Sequence, residues 1–182
     1  MATIRKSKVM VTVLGIMGIL LIAAWLLVPA TPAMAKKVKF KCRIVTQITK
    51  IHVIKVGDVE GHIIAISQRR GLRFSDEGEV GSYVNWVTSD TIKGKGTHVG
   101  YNRITYEDGS TTVAKFQGTS APLEGRRSTG KGTFSFIGGS GRFEGIKGGG
   151  SYTYKTITPY TKEETKADII VDATGTRTLP SK

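Results

Sequence analysis

At 182 residues, with 39% hydrophobic and 23% charged side chains, the chain can bury a core and is too apolar for a disordered tail. Its single cysteine excludes an intrachain disulfide framework and a multi-cysteine zinc site. Lys+Arg outnumber Asp+Glu by 27 to 14, a formal charge of +13, which suits either solubility or attraction to an anionic surface.

The first 35 residues read as a targeting segment. Arg5, Lys6 and Lys8 precede an apolar run over residues 9–28, and Pro29 and Pro32 lead into Ala33-Met34-Ala35. A basic start, an apolar middle and a small-residue end are the parts of a secretory signal peptide, with cleavage expected at Ala33 and Ala35. The run is also long enough to span a bilayer. An uncleaved membrane anchor is therefore the alternative, with residues 9–28 as the only membrane contact. Cleavage is favoured because the prolines and the small-residue site serve a peptidase and not an anchor. Export to a periplasmic or secreted location follows, and it makes nucleic acid an improbable partner. Residues 36–182 are expected to form one domain.

That domain reads as all-β. Of 23 glycines, all but Gly15 and Gly18 follow residue 36, and they punctuate runs rich in β-branched and aromatic residues. No stretch keeps a helical period for three turns. Val38, Phe40, Cys42 and Ile44 alternate with Lys37, Lys39, Lys41 and Arg43, which predicts a strand with one buried and one basic face. The pattern resumes through Ile51 and Val53 to the turn Gly57-Asp58. Residues 62–67 form a short buried run closed by Gln68-Arg69-Arg70, and residues 75–78 form a turn. Strands follow at 79–92 and 97–106. Glu107-Asp108-Gly109-Ser110 is a hairpin signal, and 111–119 pairs back with Ala114 and Phe116 on one face. Residues 120–130 read as a loop. Phe134 and Phe136 point inward from 132–137, Tyr152 and Tyr154 share a face of 150–157, and Ile169, Val171 and Ala173 point inward from 166–178. Eight strands joined mostly by short turns predict a closed up-and-down barrel, with a β-sandwich second. An eight-stranded interior is either filled by side chains or holds one small ligand.

The most distinctive segment is 137–150, where seven of fourteen residues are glycine. Gly138, Gly139, Gly141 and Gly145 are expected to turn the chain sharply around Phe143, which would plug one barrel end. The motif Gly-Gly-Ser-Gly-Arg-Phe-Glu-Gly lies between Gly-Thr-Phe-Ser-Phe-Ile and Gly-Gly-Gly-Ser-Tyr. It resembles the turn shared by allene oxide cyclase and dirigent-protein barrels, and is most similar to exported bacterial members of unassigned function. Stretches at Gly61-His62, Arg70-Gly71, 83–86 and 106–109 extend the resemblance over about residues 38–180. It implies an eight-stranded barrel with a cavity. It carries over no catalytic residue, and a fold without a matched site does not give a function.

Other signals are weaker. Gly125 to Lys131 follows a phosphate-binding loop for seven positions, but Gly132 stands where Ser or Thr should hold magnesium, and a strand follows instead of a helix. No dinucleotide fingerprint is present, and no cofactor is expected. His52, His62 and His98 lack metal-ligand spacing, so no metal site is expected. Glu79, Asp90 and Glu107 lie at strand ends near the barrel mouths, and Cys42 alternates with Phe40 and Ile44 as a buried small hydrophobe would. The aromatic set Tyr83, Trp86, Tyr101, Tyr106, Tyr152 and Tyr154, with Asn85 and Arg103 as polar contacts, is the expected ligand-facing group. The favoured function is a non-catalytic exported barrel that binds a small apolar or amphipathic molecule. An isomerase or cyclase acting on a confined apolar substrate is the alternative. A small outer-membrane barrel ranks lower, because Lys and Arg on alternate positions leave no continuous lipid-facing band. Oligomeric state stays open.

Overall fold

The computed structural model describes residues 37–160 and 167–179. The segment 1–35 read above as a leader, with its expected cleavage residues Ala33 and Ala35, lies outside the described residues. Eight strands follow in order: β1 (Lys37–Lys55), β2 (His62–Ser75), β3 (Val80–Ile92), β4 (Lys95–Tyr106), β5 (Thr111–Leu123), β6 (Arg127–Ser140), β7 (Lys147–Thr156) and β8 (Asp168–Thr178). Each pairs antiparallel with its sequence neighbour, and β8 returns to β1, so the expected barrel closes without an edge.

Alternation decides which side chains enter. In β1, Phe40, Cys42, Ile44 and Ile48 take even positions facing the interior. The pairing with β2 then skips Thr49, and Ile51 and Val53 enter from odd positions. This β-bulge explains why the apolar pattern breaks and resumes one residue out of phase. A second bulge leaves Ile137 without a partner between Gly138 and Phe136, and its side chain is exposed.

Several strand boundaries differ from the sequence reading. β2 continues eight residues past Ser67 because Arg69 and Arg73 occupy inward positions, so the polar run does not end it. The expected loop at 120–130 is mostly strand: β5 runs to Leu123, β6 begins at Arg127, and only residues 124–126 form the turn. Strand β7 also starts earlier, at Lys147, drawing Gly148 and Gly149 into the sheet beside Gly150. There the backbones pack closely, and a Cβ on Gly150 would stand 1.9 Å from the Thr174 carbonyl oxygen.

The turns at 76–79, 107–110 and 141–146 share one barrel end. Here a 3-10 turn (Gly141–Phe143) sits between Gly141 and Gly145, both at positive φ (62° and 70°), where a Cβ is disfavoured. Phe143 is 2% exposed and packs on Tyr106 with ring centroids 4.7 Å apart. Ile44, Tyr83, Ile104 and Ile146 complete this cluster. Toward the other end, Ile48, Ala167 and Ile169 are buried against Ile51, Tyr154 and Tyr160.

Candidate ligand cavity

The barrel encloses a cavity of about 600 Å³, within the size range of small-molecule sites. It runs from the Phe143 end, where Phe40, Tyr106 and Ile146 line it, to a rim that includes Val53, Leu123, Arg126, Arg127 and Tyr160. Val53 and Leu123 are exposed, so the cavity meets solvent at that rim.

Glycines on the strands create the room. From β7, the Tyr152 ring reaches over Gly132 of β6 and Gly118 of β5, which lie in register with it, to His98 on β4. A Cβ at Gly132 would stand 2.5 Å from the Tyr152 hydroxyl oxygen, and one at Gly118 2.8 Å from it. Tyr154 lies over Gly130 in the same way, and its hydroxyl donates to Ser120 Oγ at 2.8 Å. Phe116 covers Gly100. The glycines thus fix the direction in which each aromatic ring falls.

His98 is the centre of a polar cluster within this aromatic wall. It is 7% exposed, with Nε2 2.6 Å from the Tyr152 hydroxyl and Nδ1 3.0 Å from Ser120 Oγ. Burial lowers its pKa to about 4, helped by the positive charge of Arg69, so the ring is neutral at pH 7. Burial raises the Tyr152 hydroxyl well above the ordinary value, with Tyr154 and Tyr83 adding to the shift. On β3, Asn85 Nδ2 donates to the Tyr83 hydroxyl at 3.0 Å, and burial pushes the Tyr83 hydroxyl up to about 12. Cys42 also faces the cavity, and burial raises its thiol.

The structure brings Tyr83, Asn85, Tyr106, Tyr152 and Tyr154 to the cavity wall. It puts the remaining expected residues elsewhere. Trp86 (43% exposed), Tyr101 (46% exposed) and Arg103 lie on the outer face. The cause is parity: Tyr83 and Asn85 enter from odd positions of β3, whereas Trp86 is even. In β4 the inward residues are His98, Asn102, Ile104 and Tyr106, all even, which turns Tyr101 and Arg103 outward. The residues that sequence reasoning missed are His98, Ser120 and Arg69. Arg69 continues the inward series Ile63, Ala65 and Ser67, and that spacing was the signal available for it.

Of the other expected residues, Glu79 forms ion pairs with Arg73 and Arg142 beside the Phe143 end. Asp90 accepts from His62 at the opposite end, and Glu107 is exposed in its turn. His52 is exposed as well. Among the described residues, no group of three or more His, Cys, Asp or Glu is placed to hold a metal ion.

Fold and cavity together define a class: a closed eight-stranded antiparallel barrel with a ligand-sized interior. No family model matches the chain, and no curated protein matches it. Among solved structures, the chain is similar to the pterocarpan synthase dirigent protein GePTS1, at 13% identity and a TM-score of 0.45, covering 84% of this chain and 95% of that one. It is also similar to the pterocarpan synthase dirigent protein PsPTS1, at 13% identity and a TM-score of 0.43, covering 84% of this chain and 99% of that one.

Proposed function

We propose that this protein is an exported barrel that binds a small apolar or amphipathic molecule in its interior. The observation that carries the reading is the cavity of about 600 Å³, walled by aromatic and aliphatic side chains with a few convergent polar groups. The interior wall is mostly apolar. A barrel spanning a membrane carries a continuous apolar band outside. The outer face here breaks its exposed apolar residues, Leu72, Trp86 and Tyr101 among them, with Lys39, Lys41, Arg43, Lys115 and Lys131.

Thermal unfolding of the protein, expressed from the full chain, in the presence of neutral lipids, aromatics and glycans tests the binding reading. Stabilisation by one apolar class is expected; no stabilisation by any class would count against it. Export is tested separately by cell fractionation and by the N-terminal sequence of the recovered protein, which the reading expects to begin at Lys36.

A second reading, an isomerase or cyclase acting on a confined substrate, is favoured by one feature. A neutral imidazole hydrogen-bonded to Tyr152 inside an apolar cavity is equipped to move a proton. His98→Gln would abolish such an activity and leave binding of a neutral ligand intact.

A further inference from the structure

Charge inside the cavity is one-sided. Five arginines line it (Arg69, Arg73, Arg126, Arg127 and Arg177), and among the described residues no Asp or Glu does. The two arginines at the Phe143 end are compensated by carboxylates outside the lining. Arg73 NH1 lies 3.7 Å from Glu79, and Arg177 NH2 lies 3.2 Å from Glu77. Both guanidinium groups also lie over the Phe40 ring. Arg69 has no such compensation. It stands in the middle of β2, opposite Ile48 and Asn85, and no ion pair joins it to a carboxylate among the described residues. Its Nε is buried without a hydrogen-bond partner.

A guanidinium cannot shed its proton to escape this situation. A cation in a low-dielectric site with an orphaned donor is costly, so the site favours an arriving negative charge. The neighbours of Arg69 are donors too. Its charge is felt by Tyr83, His98 and Tyr152. Tyr83 accepts from Asn85, which leaves its own hydroxyl proton to donate. With the His98 proton on Nε2, the chain Tyr154–Ser120–His98–Tyr152 runs head to tail and leaves the Tyr152 proton for a guest. The Asn85 side-chain carbonyl oxygen, also buried without a partner, is an acceptor and suits a hydroxyl or a water.

From this arrangement we infer that the guest is an amphipathic anion, seated head-inward with its negative group on Arg69 and its apolar body along the aliphatic and aromatic wall. Arg126 and Arg127 at the rim draw the anion toward the cavity. The inference rests on the reading of the cavity as a binding site, and it adds the charge of the ligand and its orientation.

Calorimetric titration of the purified full-chain protein separates the two claims. The probes share one ten-carbon body: decanoate, decanol, methyl decanoate and decyltrimethylammonium, each below its micelle concentration at neutral pH. Decanoate is expected to bind about tenfold or more tightly than decanol or the ester, the usual worth of a hydrogen bond to a charged group. Arg69→Gln is expected to erase that preference, bringing decanoate down to the affinity that decanol shows for the same variant. The double variant Arg126→Gln/Arg127→Gln is expected to retain it. Decanol or decyltrimethylammonium binding as tightly as decanoate would overturn the anion assignment while leaving the cavity reading intact. Binding of none of the four would remove the cavity reading itself. A preference that survives Arg69→Gln but disappears in the rim variant would overturn the head-inward orientation. If Arg69→Gln does not fold, Arg69→Lys serves instead: it keeps the charge without the planar fork, and a reduced preference is expected.

Discussion

His98 sets how the barrel responds to acid. Its folded pKa of about 4 lies below the ordinary 6.5, chiefly because burial disfavours the charged ring. As pH falls through that interval, the unfolded chain takes up a proton that the folded barrel refuses. Stability therefore declines from about pH 6.5 until the loss is complete near pH 4, at about 3 kcal/mol. His62 has the opposite sign. Hydrogen bonds to Asp90 and Asp58 raise its pKa, so its contribution is complete below about pH 6.5 and is lost as pH rises through the raised value. The two histidines act in adjoining windows and place their joint optimum near pH 6.5. Urea unfolding of His98→Gln between pH 7 and pH 4.5 checks the assignment. The variant is expected to lose most of the acid slope, and an unchanged slope would mean that another group carries it.

Strand glycines act as floors for the aromatic side chains of neighbouring strands. A Cβ at Gly132 would meet both the Tyr152 hydroxyl and the Gln117 carbonyl oxygen, the latter at 2.1 Å, and a backbone atom cannot swing away. Gly132→Ala is expected to destabilise by about 1–3 kcal/mol and to shift the ring resonances of His98. Gly138→Ala is the control, because nothing lies within 4 Å of its Cβ and its φ is ordinary; its effect is expected to stay within about 0.5 kcal/mol. Phe143→Ala empties a fully packed position at the closed end and is expected to cost about 3–5 kcal/mol in denaturant unfolding. Equal stability of the Gly132 and Gly138 variants would contradict the floor model. The alternation that marks each strand was readable from Phe40 or Phe134 onward. The bulge at Thr49 was visible only as a change of phase between Ile48 and Ile51. What failed was parity within long strands: Trp86 was grouped with Tyr83 on β3 and Tyr101 with Tyr106 on β4 by residue type, although an odd spacing in each strand sends Trp86 and Tyr101 to the opposite face. Gln68-Arg69-Arg70 read as a polar end to β2 because a sequence does not show that an interior can hold the charge of Arg69.

Over the whole molecule, the interior wall is mostly apolar and aromatic with arginines set into it. The exterior mixes exposed apolar residues such as Leu72, Trp86 and Tyr101 with alternate lysines and arginines. Among these, Arg43 pairs with Asp172 across β1 and β8 at 2.8 Å. That exposed pair is expected to add little stability, and the closed hydrogen-bonded sheet and its two apolar clusters hold the barrel. Closure was legible in the glycine-punctuated meander. Hollowness was not, since it depends on how far Tyr152, Tyr154 and Phe116 lie flat on glycines rather than filling the axis. The most direct test is an NMR titration with decanol. The account predicts that the methyl resonances of Ala65, Ala114 and Ala173 and the ring of His98, all lining the cavity, move together while the outward Trp86 indole stays in place. Movement of Trp86 with silent alanine methyls would contradict an interior site.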